Sequence, residues 1–246
     1  MLVLLPPSEG KVSPARGKPV DLDSLAFADL LGKRRAGLLD ALERLVEMPV
    51  GRAVESLGIS KGQAGEVMVD AELRAAPAAA ASEVYSGVLY ERLRLPELPA
   101  KARRRVLVFS ALWGVVRPQD RIPYYRFSAK ARLDGIGPPA GWWREALAEA
   151  MPDKPGELVV DMRSGAYAAA WRPRRATLLA VRAFSEQNGK RKPVSHMAKA
   201  VRGDVARALL LAPKSPDDPE QAAAIAEQAG FAVELTESSL DVIVPA

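Results

Sequence analysis

The sequence has no cysteine and a single histidine, His196, among its 246 residues. Without thiols there is no disulfide, no thiolate metal site and no cysteine nucleophile. One imidazole excludes a histidine-rich zinc or iron centre, which leaves only oxygen ligands for a borderline metal. We therefore expect no bound metal and no cofactor. No apolar run reaches the ~18 residues of a membrane span. The start, Met1-Leu-Val-Leu-Leu-Pro-Pro, lacks the charged lead and long apolar region of a signal peptide and reads as a short first strand. These absences give the expectation of a cytoplasmic protein with no membrane partner.

What is present is an uneven distribution of charge. Residues 101–207 hold 22 Lys and Arg against 9 Asp and Glu, a balance of +13, while the remainder carries −8. Such asymmetry within one compact chain suggests a basic face or cleft turned toward an anion, nucleic acid being the obvious candidate. A solvated basic face is the plainer reading of the same numbers.

The length permits a sizeable core, and no linker or tandem repeat interrupts it, so residues 1–246 are expected to form one domain. Apolar runs predict strands at 1–5, 105–110, 157–162, 178–184, 231–235 and 240–244. Helical spacing predicts one or two helices over 25–48 and two short ones over 54–73. Further helices are expected at 77–81, 84–93, 141–151, 164–171, 194–212 and 219–229. The fold class is α/β (α+β), with a central mixed sheet and flanking helices.

Five segments carry candidate chemistry. Ser110 to Arg126 follows an apolar strand and sets Trp113, Tyr124 and Tyr125 among Arg117, Arg121 and Arg126. Guanidinium forks and ring faces suit a planar or anionic partner, although a structural turn with a Trp plug explains the same residues. Pro7-Ser8-Glu9-Gly10-Lys11 follows the first strand, where open sheets bind ligands. Ser8, Glu9 and Lys11 there offer a hydroxyl, a carboxylate and an ammonium. Leu57 to Ala64 has the outline of a helix-hairpin-helix, with Gly58, Ser60, Lys61 and Gly62 placed to contact phosphate through backbone N–H groups. A simple helix turn is the alternative. Asp161 to Tyr167 follows another strand, and Asp161 is either an acid/base or the orienter of an arginine. Last, Asn188-Gly189 signals a hairpin bearing Lys190, Arg191 and Lys192. A helix follows it on which Ser195, Lys199 and Arg202 share one face beside His196.

The segments Leu5 to Lys11, Tyr85-Ser86-Gly87, Ser110 to Asp120, Pro123-Tyr124-Tyr125-Arg126, Asn188-Gly189-Lys190 and Ala198 to Gly203 stand in the order seen in the YaaA family of bacterial peroxide-stress proteins, which the chain resembles from residue 1 to about 244. The resemblance implies a cytoplasmic protein that protects DNA under hydrogen peroxide and limits damage from free iron. It also implies a single α/β domain with a basic cleft and a helix-hairpin-helix, able to bind duplex DNA. This chain departs from many relatives at Pro6 to Lys11, at Ala200, where they carry lysine, and at Ser60, which replaces the hairpin's second glycine.

Two hypotheses follow. One is a DNA-binding peroxide-stress protein that needs no catalysis. The other is an enzyme acting on an anionic or nucleobase-like small molecule, anchored by Lys11, Arg117, Arg126, Lys199 and Arg202, with Glu9 or Asp161 as acid/base. Both place Glu9, Lys11, Trp113, Arg117, Tyr124, Arg126, Asp161, Lys190, Lys199 and Arg202 around one concavity.

Overall fold

The computed structural model describes residues 1–187, 190–194 and 196–245. In chain order the elements are β1 (Leu2–Leu5), α1 (Ala28–Glu43), α2 (Val50–Leu57), α3 (Glu66–Ala71), β2 (Ala78–Ala80), α4 (Ala81–Val84), α5 (Val88–Leu93), α6 (Ala100–Arg103), β3 (Val106–Ser110), β4 (Gly114–Val116), β5 (Arg121–Pro123), α7 (Pro139–Ala150), β6 (Leu158–Asp161), α8 (Gly165–Ala168), β7 (Thr177–Gln187), β8 (Lys190–Pro193), α9 (His196–Leu211), α10 (Pro219–Gln228), β9 (Ala232–Leu235) and β10 (Ser239–Pro245).

The main sheet runs β4-β3-β1-β6-β7-β10-β9, with β8 paired to β7. Strands β3, β1, β6, β7 and β10 are mutually parallel, and β4, β8 and β9 are antiparallel additions. Strands covered on both faces read as continuous apolar runs. Leu2–Leu5, Val106–Phe109 and Leu158–Val160 are buried throughout. The chain leaves β1 toward β3 but leaves β6 toward β7, so the topology reverses between these two neighbours. The crevice outside the carboxyl ends at such a reversal is where open α/β sheets bind ligands. Among the described residues no helix is long and apolar enough to cross a membrane.

Three expectations change. The alanine run at 77–81 is helical only at Ala81, where α4 begins: Ala78–Ala80 pairs with Arg121–Pro123 as a two-stranded antiparallel ribbon, because pairing overrides alanine's helix preference. The helix expected over 84–93 begins only at Val88, since Tyr85 bridges to Lys11 and Gly87 turns the chain at φ +91°. Ser110 to Arg126 is not one open loop but holds β4 and β5. Trp113, in the turn between β3 and β4, is fully buried, and Arg35 of α1 reaches in to bind the carbonyls of Trp113 at 3.1 Å, Val115 at 2.8 Å and Ala26 at 2.8 Å. Burial lowers the Arg35 guanidinium to about 10, still charged at neutral pH.

Candidate functional site at the carboxyl edge of the sheet

The loop leaving β1 is tied to the Tyr85-Ser86-Gly87 turn. Ser86 N–H donates to Ser8 Oγ at 3.1 Å and to the Gly10 carbonyl at 3.3 Å, and Val12 N–H donates to the Val84 carbonyl at 2.8 Å. This clasp folds Lys11 back into the protein. Its Nζ donates to the Ser8 carbonyl at 2.7 Å and lies 4.4 Å from the centre of the Tyr125 ring. Burial, reinforced by the Arg126 charge, lowers the Lys11 ammonium to about 8.

Behind Tyr125 runs a chain of buried hydroxyls. Ser110 Oγ accepts from Leu112 N–H at 3.2 Å and Trp113 N–H at 3.1 Å, which leaves its own proton for the Tyr125 oxygen 2.8 Å away. The Tyr125 hydroxyl in turn lies 2.8 Å from that of Tyr85. Burial raises both phenols far above their ordinary range, so they act as neutral donors.

Asp70 of α3 closes the other side. It is 1% exposed, its Oδ1 accepts from Arg126 N–H at 2.7 Å, and its Oδ2 is buried with no partner among the described residues. Burial raises its carboxyl to about 7 against the opposing backbone bond. Arg126 donates to the Glu9 carbonyl at 3.2 Å and approaches Glu66 at 4.0 Å, and Glu66 accepts from Tyr124 at 3.2 Å. Lys199 of α9 faces the exposed Glu9 at 3.7 Å. Ser8, Glu9, Lys11, Tyr124, Arg126 and Lys199 therefore stand together. Asp70, Glu66, Tyr85 and Ser110 join them without having been singled out as site residues. Tyr85 stands in a segment noted for its family resemblance. Asp70 has no such signal, because only the fold turns it inward.

Other candidates stand elsewhere. Asp161 is no free acid/base. It holds Arg163 through two bonds of 2.8 Å and accepts the Arg163 N–H at 2.9 Å, setting the guanidinium 4.1 Å from the centre of the Phe109 ring. It is an orienter of that arginine. Arg202 donates to the Val181 carbonyl at 3.0 Å within the field of Asp161, one strand farther along the edge. Trp113 offers no stacking face; it supports Tyr125 edge-on from inside, at 6.0 Å between ring centres. Arg117 is carried away from the edge because β4 runs back antiparallel to β3, and it lies over Phe27 at 5.4 Å. Asn188, Gly189 and Ser195, and the side chains of Lys190 and His196, lie outside the described residues.

The segment around Gly58 has local duties. Gly58 ends α2 at φ +64°, and a Cβ there would lie 3.0 Å from the Lys130 Cβ and 3.2 Å from its carbonyl oxygen. Ser60 caps the following turn, its N–H donating to Gln63 Oε1 at 3.1 Å. The αL cap and the Lys130 contact account for the glycine. Gly58→Ala is expected to cost about 1–2 kcal/mol in urea unfolding. Lost duplex affinity at unchanged stability would instead return the residue to phosphate binding. Lys61 and Gly62 are exposed, and Gly62, Gln63, Gly65, Glu66, Val69 and Tyr124 line an open groove of about 420 Å³.

Much of the positive charge gathers at the opposite edge. Arg103, Arg104 and Arg105 precede β3, Lys154 precedes β6, and Arg174 and Arg175 precede β7. These strands are parallel or share a parallel neighbour, so all six residues mark the amino edge. Asp153 ties that edge by accepting the Arg174, Arg175 and Ala176 N–H groups at 2.8, 2.9 and 2.9 Å. Among the described residues no group of three or more His, Asp or Glu side chains is placed to share a metal ion.

Residues 1–236 match the family model described as peroxide stress protein YaaA. The chain is 44% identical over 245 residues to a UPF0246 protein of Streptomyces coelicolor, covering 95% of this chain and 92% of that one. It is 38% identical over 238 residues to a UPF0246 protein of Corynebacterium glutamicum, covering 95% of each. An uncharacterized protein of Campylobacter jejuni is 29% identical over 213 residues, 82% of each chain. With a match of this extent, the chain belongs to the YaaA family of peroxide stress proteins.

Proposed function

We propose that this peroxide-stress protein binds a small planar anion at the carboxyl edge of its sheet and exchanges protons with it. The observation that supports this most is the Lys11–Asp70 pair, an amine and a carboxyl whose surroundings bring both close to neutral pH beside the guanidinium of Arg126. Groups displaced in opposite directions toward neutrality suit the two halves of a proton transfer. Arg126 and Lys199 draw the anion, and Tyr124 offers a ring.

Binding of duplex DNA, shielding it from oxidative damage, is the second reading. The +13 balance of residues 101–207 favours it. In that reading Arg104 and Arg175 at the amino edge join Lys199 and Arg202 as phosphate contacts.

One titration series separates the two. Wild type, Arg126→Ala and the double variant Lys199→Ala/Arg202→Ala are mixed with orotate, nicotinate and urate, and separately with labelled duplex at two salt concentrations. The small-anion reading expects Arg126→Ala to weaken at least one planar anion tenfold or more. Duplex affinity with a steep salt slope that flattens by about two ions in the double variant, and no planar-anion binding, gives the site to DNA.

A further inference from the structure

We propose that Lys11 forms an imine with an aldehyde or ketone that carries an anionic group. This rests on the small-anion reading of the site and names its substrate class. The placement of the amine carries the inference. A structural lysine at a half-buried position ordinarily meets a carboxylate. Lys11 stands in the field of Glu9, Glu66 and Asp70, yet among the described residues it forms no ion pair with them; Glu66 approaches Arg126 and Glu9 faces Lys199 instead. Among the described residues the nitrogen makes one bond, to the Ser8 carbonyl, and otherwise meets the Tyr125 ring and the charge of Arg126. Removal from water beside a second cation is one of the ways an enzyme keeps a lysine amine unprotonated.

The remaining groups match the steps. The lone pair of Lys11 Nζ attacks the carbonyl carbon, and one amine proton passes to the oxygen, giving a carbinolamine. The Asp70 carboxyl then donates its proton to the departing hydroxyl. Water leaves, the C=N bond forms as a protonated imine, and Asp70 is left as carboxylate. The balance is amine plus carbonyl giving imine plus water, with no oxidant or reductant. The unpartnered Asp70 Oδ2 is the oxygen available for this transfer, because Oδ1 is held by Arg126 N–H. Arg126, whose Nε likewise has no hydrogen-bond partner among the described residues, and Lys199 hold the anionic group.

Reductive trapping tests this on the full chain. Glyoxylate and cyanoborohydride are added near pH 7.5, and the mass gain on each lysine is followed by peptide mapping. Lys11 is expected to be labelled at least about tenfold faster than Lys18, Lys61 or Lys130, because a larger fraction of its amine is neutral. Its rate is expected to saturate with glyoxylate, whereas theirs rises linearly. Asp70→Asn is expected to slow Lys11 labelling several-fold without changing the other lysines, and Lys11→Arg removes the saturating phase. Lys11 labelling no faster than the exposed lysines, or without saturation, overturns the imine. A planar anion that still binds in that case leaves the small-anion reading standing, so the two fail separately.

Discussion

Gly203→Val is expected to lower the thermal unfolding midpoint by roughly 6–12 °C, the equivalent of about 3 kcal/mol in a chain of this size. Helix α9 crosses α5 so closely at this point that a Cβ would run into the Leu89 carbonyl oxygen and lie 2.8 Å from the Arg92 Cβ. The backbone of α5 cannot give way cheaply, since Leu89 and Leu93 are buried in the core and Arg92 is held by Asp204 of α9 through bonds of 2.9 and 2.7 Å. The same crossing fixes the rotation of α9 and hence where Lys199 stands. Gly32→Ala in α1 is the control. Nothing lies within 4 Å of a Cβ there, so it should gain roughly 0.5–1 kcal/mol from helix propensity. Equal effects at the two positions would rule out the close crossing.

The second large effect is one of pH. At pH 7.5 both Lys11→Met and Asp70→Asn are expected to raise stability, by about 1–2 kcal/mol each, in urea unfolding. The folded carboxyl of Asp70 sits near 7 against 3.8 when unfolded. Its contribution is present below pH 4 and lost as the pH rises toward 7. The folded ammonium of Lys11 sits near 8 against 10.5. Its contribution is present above pH 10.5 and lost as the pH falls toward 8. The pair therefore costs most between about pH 7 and 8. The gain from Asp70→Asn should shrink toward pH 4, and that from Lys11→Met toward pH 10.5. Variants that are less stable than wild type at every pH would mean that these groups hold the fold rather than strain it. Charged groups kept where they lower stability are what a working site leaves in a protein.

The central strands were legible because parallel strands buried on both faces need uninterrupted apolar runs, as Leu2–Leu5 and Leu158–Val160 supply. The alanines at 78–80 were not, since their strand exists only through pairing with a segment some forty residues on. At the site, Glu9 and Lys11 were legible by position, following the first strand at a topological reversal. Asp70 was not, because it lies in an acidic helical stretch and is turned inward by an N–H 56 residues away. Arg117 and Trp113 stand apart from the cluster for a single reason. The β3–β4 hairpin folds back on itself, which plugs the core with one and removes the other from the edge.

The arginine-rich amino edge and the Lys11 cluster stand at opposite ends of the same strands, and β6, with four residues, spans about 13 Å. At physiological ionic strength the Debye length is about 8 Å, and at 0.01 M it is about 30 Å. A polyanion gathered at one edge is therefore largely screened from the other in the cell but not in dilute buffer. The affinity of the cluster for a small anion should be indifferent to added duplex at 0.15 M salt and weakened by it at 0.01 M.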